Sequence, residues 1–174
     1  MLIETALVLK RRGNLDGCGF IIIGDGELGQ DLQKEVNKLG LNKSFLFVGW
    51  QRDMPSVYRG LDLVVMTSLN EGTPSSLIES MASGVPVVAT DVGGVRDMFG
   101  SVLDRNREGF EIAEYGILVP SENPQSLAMA IIFIKENQQL IEKMTQNAQQ
   151  YALKTYTNKR LIKDMENLYA ELIN

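Results

Sequence analysis

Between residues 68 and 79 the chain reads Ser-Leu-Asn-Glu-Gly-Thr-Pro-Ser-Ser-Leu-Ile-Glu, which sets two carboxylates, Glu71 and Glu79, eight positions apart around two serines. The segment follows the apolar run Leu-Val-Val-Met at 63–66, so it is expected at the carboxyl end of a strand, where open α/β sheets place their ligands. Gly72 allows a tight turn and a close backbone approach. Thr73 suits a helix N-cap and Pro74 the first helical position. The N–H groups of Ser75, Ser76 and Leu77 are then expected to stand free at a helix N-terminus, where the dipole favours an anion such as phosphate. Glu79 comes three and four residues after Ser76 and Ser75 and shares their face of the helix. At about 1.5 Å of rise per residue its carboxylate lies roughly 5–7 Å along the axis from those amides. A carboxylate there repels phosphate but accepts hydrogen bonds from a vicinal diol. Phosphate on the amides and ribose on Glu79 together describe a nucleoside diphosphate, with Glu71 reaching whatever is attached beyond the phosphates. The plainer alternative for Glu79 is a salt bridge, since its neighbours Leu77, Ile78, Met81 and Ala82 make unpaired burial costly.

These groups need a scaffold, and the chain supplies one by alternating short β-branched runs with helical stretches. Phe-Ile-Ile-Ile (20–23) runs into the turn Gly24-Asp25-Gly26 and a helix expected over 27–39, stopped by Gly40. Phe-Leu-Phe-Val (45–48) ends at Gly49, a helix is expected over 74–83, and further runs occupy 85–89 and 117–119. Continuous apolar strands of this length are covered on both faces, and strands alternating with helices imply right-handed crossovers. The expected fold is α/β, a doubly wound parallel sheet with C-terminal helices. Residues 95–115 are polar and read as a loop with at most a short helix. From Asn123 onward three helical stripes are expected to pack: Leu127, Ile131 and Ile134; Leu140, Met144 and Ala148; and Leu161, Met165, Leu168 and Leu172.

Composition narrows the chemistry. Among 174 residues there is no histidine, which removes histidine acid–base relays, triads and histidine metal sites. One cysteine, Cys18, forms neither an internal disulfide nor a cysteine-rich metal site and points to a reducing compartment. Seventeen basic against 22 acidic side chains offer no footprint for nucleic acid or an anionic membrane. No apolar run approaches 18 residues and no signal-peptide pattern opens the chain, so a cytoplasmic location is expected.

The motifs, in their order, resemble a known family. Gly24-Asp25-Gly26-Glu27-Leu28 is similar to a G-x-G turn after a strand, and Val48-Gly49-Trp50 to a third-strand loop. Glu71 to Glu79 matches an E-x7-E motif. The stretch from Ser83 to Gly94, with its strand and glycine pair, and Gly116-Ile117-Leu118-Val119-Pro120 follow in the same order. Over about residues 2–130 the chain resembles the C-terminal, donor-binding half of retaining glycosyltransferases of the two-domain GT-B fold, glycosyltransferase group 1 or family 4. That family includes sucrose synthases and many bacterial capsule, lipopolysaccharide and phosphatidylinositol mannosyltransferases.

The resemblance implies roles. Glu71, the catalytic candidate, would contact hydroxyls of the donor hexose, and Glu79 would bind ribose. The amides from Gly72 through Thr73, Pro74, Ser75, Ser76 and Leu77 would hold sugar and diphosphate, although Pro74 itself has no N–H. Gly49, Trp50, Gln51 and Met54 would border the base. The donor would be a nucleotide diphosphate sugar, its hexose passing to a sugar, lipid or polysaccharide acceptor, with no metal and no cofactor. In this family a first strand carries an Arg and a Lys that neutralise the leaving diphosphate. This sequence begins inside the following helix, and Lys10, Arg11 and Arg12 lie at that helix's far end. Residues 1–174 are therefore expected to be one donor domain, a fragment inactive alone, whose partner is a missing N-terminal acceptor domain. Any peripheral membrane contact would run through that domain. In the sheet order usual for such folds the missing strand sits between the runs at 20–23 and 63–66, which are expected to close the gap by pairing directly. The alternatives are an epimerase-like GT-B relative and a non-catalytic nucleotide-binding module.

Overall fold

The computed structural model describes residues 1–173. The elements run α1 (Leu2–Arg11), β1 (Phe20–Ile23), α2 (Gly29–Lys38), β2 (Phe45–Gly49), α3 (Met54–Arg59), β3 (Val64–Met66), α4 (Ser75–Ala82), β4 (Val87–Thr90), α5 (Val95–Met98), β5 (Val102–Arg105), β6 (Glu111–Ala113), β7 (Ile117–Val119), α6 (Pro124–Glu136), α7 (Gln138–Thr155) and α8 (Asn158–Ile173). β1 pairs in parallel with β2, and a second sheet has the order β3-β4-β7-β6-β5. In that sheet β3, β4 and β7 are parallel, with Val64 opposite Val87 and Val88 opposite Ile117.

β4 shows why the strands read as unbroken apolar runs. Every one of its residues is buried. Val87 and Ala89 enter a core with Leu77 and Met81 of α4 and Ala148 and Ala152 of α7. Val88 turns the other way, into a core with Leu127 and Ile131 of α6 and Val8 and Leu9 of α1. β7 repeats the pattern, Leu118 facing α4 and α7 while Ile117 and Val119 face α6. Helices cover both faces, so neither face of the strand carries a polar alternation.

Four expectations are corrected. The segment at 95–115 holds the short helix α5 and also a β-hairpin, β5 with β6, that extends the sheet antiparallel beyond β7. β5 is an edge strand with Leu103, Asp104 and Arg105 exposed, so it carries no apolar run to read. The strands β1 and β3 do not pair and belong to separate sheets. α1 spans the divide, with Ile3 and Ala6 in the core under β2 and Val8 and Leu9 in the core under β4. Both sheets thus pack on one helix, and Phe20 of β1 also lies against the core under β4. On α7 the buried face is Ile141, Met144, Thr145, Ala148 and Ala152, while Leu140 is exposed, a turn of one position. No residue of α8 is buried, so Leu161, Met165, Leu168 and Leu172 face outward instead of packing.

Candidate functional site

β3 delivers the chain to the carboxyl edge of the sheet, and side chains on neighbouring elements then shape the loop that follows. Thr90, at the end of β4, donates its hydroxyl to the carbonyl of Ser68 at 2.6 Å. Ser68 in turn donates to Oε1 of Glu71 at 2.8 Å, so this carboxylate is held over its own loop by a neighbour three residues back. Gly72 and Thr73 are exposed. A Cβ on Gly72 would meet no protein atom within 4 Å, so the room beside it faces outward.

The helix begins one residue later than Thr73 and Pro74 predict. Pro74 is the N-cap, extended at φ −68° and ψ 121°, and Ser75 opens α4. Pro74 still suits the place, because a residue without an N–H costs nothing where that N–H has no intrahelical partner. Leu77 is a correction: its N–H donates to the carbonyl of Pro74 at 3.2 Å, and its side chain is buried against β4. The open donors of the first turn are therefore the N–H groups of Ser75 and Ser76, both on exposed residues.

Glu79 is exposed, one turn further along α4. Its partner is a residue that the sequence reading did not single out. Tyr58 of α3, only 3% exposed, donates its hydroxyl to Oε2 of Glu79 at 3.1 Å. The carbonyl of Ser76 lies 3.4 Å from the same hydroxyl. Burial, and then the carboxylate beside it, push the Tyr58 phenol up to about 12. Among the described residues no Lys or Arg pairs with Glu79, so the salt-bridge alternative is not what holds it. Tyr58 engages Oε2, and no hydrogen bond among the described residues engages Oε1.

α3 brings in the rest. Asp53 caps it by accepting the N–H of Ser56 at 3.2 Å, and Met54 opens it. Met54 lies four residues before Tyr58 and shares its helix face. Gly49 ends β2 with φ +65° at a register shift, and its carbonyl accepts the N–H of Gly24 at 2.8 Å, which joins the turns after β1 and β2. Gln51 donates to the carbonyl of Val48 at 2.7 Å. Trp50 is 62% exposed, with the guanidinium of Arg52 5.5 Å from its ring centroid. An exposed tryptophan rim is free to stack on a planar ligand. Lys10 reaches the carbonyl of Gly40, just before β2, which is the edge of the sheet opposite the site.

The arrangement is an open shelf. Its floor is the first turn of α4, with Glu71 on Ser68 at one end and Glu79 on Tyr58 at the other. A separate cavity of about 450 Å³ lies at the carboxyl ends of β4 and β7, lined by Asp91, Arg96, Arg105, Phe110, Glu111 and Pro120 among others. It includes neither site glutamate, and its two cations are paired with its two carboxylates. Among the described residues no three His, Cys, Asp or Glu side chains gather as a metal site, and no helix is long and apolar enough to cross a membrane.

Comparison with known proteins agrees with this architecture. A family profile described as glycosyl transferases group 1 matches residues 1–151. The UDP-Gal:alpha-D-GlcNAc-diphosphoundecaprenol alpha-1,3-galactosyltransferase of Escherichia coli is 23% identical over 171 residues, 98% of this chain and 41% of that protein. The alpha-D-kanosaminyltransferase of Streptomyces kanamyceticus is 29% identical over 172 residues, again 98% and 41%. The chain thus spans about two-fifths of the length of these relatives. Among solved structures, Anabaena HepE in complex with UDP superposes with a TM-score of 0.78 and 25% identity, covering 95% of this chain and 44% of that one. HepE has also been solved with UDP-glucose.

Proposed function

The chain belongs to the glycosyl transferases group 1 family, and from that premise we propose that it is the donor-binding part of a retaining hexosyltransferase. The observation that carries the reading is the shelf itself. Two N–H groups of Ser75 and Ser76 stand open at a helix N-terminus. Glu79 stands one turn along, steadied by Tyr58, and Glu71 stands before the turn, steadied by Ser68. The diphosphate sits on the two amides with the helix dipole behind it, the ribose diol on Glu79, and the hexose against Glu71 and the Gly72 backbone. Trp50 and Met54 border the base. The UDP and UDP-glucose bound to HepE support the ligand class.

In the transfer, the bond from the anomeric carbon to the diphosphate oxygen breaks, and an acceptor hydroxyl adds to that carbon on the same face. The acceptor's proton leaves on the diphosphate. Amides aimed at the developing negative charge stabilise it without reorganising. The remaining cationic help, and the site for a sugar, lipid or polysaccharide acceptor, come from polypeptide outside these residues. So does any contact with a membrane surface. The step uses protein donors alone, so EDTA leaves its rate unchanged.

The test is a thermal-shift and calorimetric screen of the chain against UDP-, GDP- and ADP-sugars. Binding of one nucleotide class in preference to the nucleosides alone supports the reading. No stabilisation by any of them refutes it.

A further inference from the structure

The geometry points to the Gly93-Gly94 turn as the element that positions the hexose end of the site. The proposal rests on the reading above, and it adds residues that touch no ligand. Gly94 donates its N–H to the carbonyl of Glu71 at 3.1 Å. A Cβ on Gly93 would stand 1.8 Å from that same carbonyl oxygen, and a Cβ on Gly94 would stand 2.3 Å from the carbonyl oxygen of Gly72. Two successive glycines therefore abut two successive carbonyls of the loop that carries Glu71. Backbone lies directly on backbone, with no side chain between.

The two glycines are required for different reasons. Gly93 has φ +52°, a left-handed conformation that disfavours most side chains. Gly94 has φ −82° and ψ 3°, which any residue adopts, so only the close approach excludes a side chain there. That separates contact from conformation, and makes Gly94 the cleaner probe.

The turn is itself held from behind. Arg96 pairs through two nitrogens with the carboxylate of Asp91, which closes the loop from 91 to 96. Its third nitrogen, Nη1, lies 2.8 Å from Oε2 of Glu111 on β6, close enough for an ion pair though off the line of a hydrogen bond. Asp91 continues the β4–β7 ladder by donating its N–H to the carbonyl of Val119 at 2.8 Å. The turn is thus anchored to the sheet at both ends and pressed on the Glu71 loop at its middle. By contrast, the diphosphate and ribose end rests on α4, fixed by the buried Leu77 and by Tyr58. Disturbing the glycine turn should loosen the hexose end and spare the nucleotide end.

The experiment compares Gly94→Ala with Gly100→Ala. Gly100 has φ +73°, and a Cβ there would meet Glu114 at 2.5 Å and Tyr115 at 2.9 Å, so its substitution is disruptive but leaves the Glu71 loop untouched. Amide hydrogen exchange is read on the ligand-free chain. The protection of the residue-94 amide, which donates to the Glu71 carbonyl, is expected to fall about tenfold in Gly94→Ala, and only as much as that of the rest of the chain in Gly100→Ala. Calorimetry with UDP-, GDP- and ADP-glucose and their nucleoside diphosphates is expected to show the gain from the hexose lost only in Gly94→Ala. Arg96→Met opens the 91–96 loop without adding atoms at the contact, and carries the test if Gly94→Ala does not fold. Protection of the residue-94 amide that is unchanged, or falls no further than in Gly100→Ala, overturns the proposal. Equal loss of sugar nucleotide and plain nucleotide overturns it as well. Failure of the wild-type chain to bind any nucleotide refutes the donor-site reading instead, while the exchange measurement still decides whether the turn clamps the loop.

Discussion

Tyr58 and Glu79 stand 21 positions apart, and a single hydrogen bond of 3.1 Å joins them, from a buried phenol on α3 to an exposed carboxylate on α4. The bond engages one carboxylate oxygen of an otherwise exposed side chain. It also ties α3, which opens at Met54, to the helix that presents Ser75 and Ser76.

Removing the phenol's oxygen tests that tie. Tyr58→Phe keeps the ring in place and frees Glu79 to wander, so affinity for a nucleoside diphosphate should fall about threefold to tenfold, in line with a net hydrogen-bond contribution of about 0.7–1.4 kcal/mol. Pyrophosphate affinity should stay unchanged. Calorimetry with the two ligands reads both, and a matching loss for pyrophosphate would show that Tyr58 merely supports α4.

The same phenol gives a pH dependence. Below pH 10 it is neutral in both the folded and the unfolded chain, and its full contribution to stability is present. Between 10 and about 12 the unfolded chain ionises while the folded one, held up by burial and Glu79, does not, so stability falls with rising pH. Tyr156 is raised to about 12 as well, by burial and by Tyr151, so Tyr58→Phe should lose less than the wild type over this range without becoming flat. Denaturant unfolding at pH 8.5 and 11 measures the difference; equal losses would contradict the assignment.

Glu71 is predicted to act on the sugar rather than the nucleotide. In a polypeptide that joins this chain to an acceptor domain, Glu71→Ala should cut hexose transfer at least about a hundredfold while nucleoside diphosphate affinity changes less than about twofold, as expected for an interaction realised mainly in the transition state. Steady-state kinetics and nucleotide titration check this together. Comparable effects on both would make Glu71 a general binding or structural residue.

The C-terminal helix supplies a test of packing. Leu168 is 55% exposed on a helix with no buried residue, so Leu168→Ser should shift the stability of this chain by no more than about 0.5 kcal/mol. Leu127→Ala on α6, fully buried, should cost about 2–5 kcal/mol. Denaturant midpoints rank the two; a large cost at Leu168 would mean that α8 packs in solution.

Some of this was legible in residue order and some was not. β4 and β7 are buried at every position and apolar at all but Thr90, because helices cover both faces, so the runs announced themselves. The placing of Glu71, Ser75, Ser76 and Glu79 on one turn and one helix follows from local spacing, which a sequence displays. β5 is a polar edge strand, and β6 inside it has only three residues, too short for its buried Ile112 and Ala113 to stand out as a run; what marks the hairpin is the turn from Asn106 to Gly109, where Gly109 takes φ +87°. Tyr58 had no local signal at all, because its role lies in a contact made across 21 residues. The leucine stripe of α8 looked like a packing face, and a periodic pattern says nothing about whether a partner is at hand.

The central claim is that ribose on Glu79 and diphosphate on the amides of Ser75 and Ser76 make this chain a donor site. The most direct test is a calorimetric titration of the wild type and Glu79→Gln with a nucleoside diphosphate and with inorganic pyrophosphate. The account predicts that Glu79→Gln loses about tenfold in affinity for the nucleoside diphosphate, the scale of a charge-assisted hydrogen bond, and less than about twofold for pyrophosphate. Equal losses for the two ligands, or no loss for either, would contradict it.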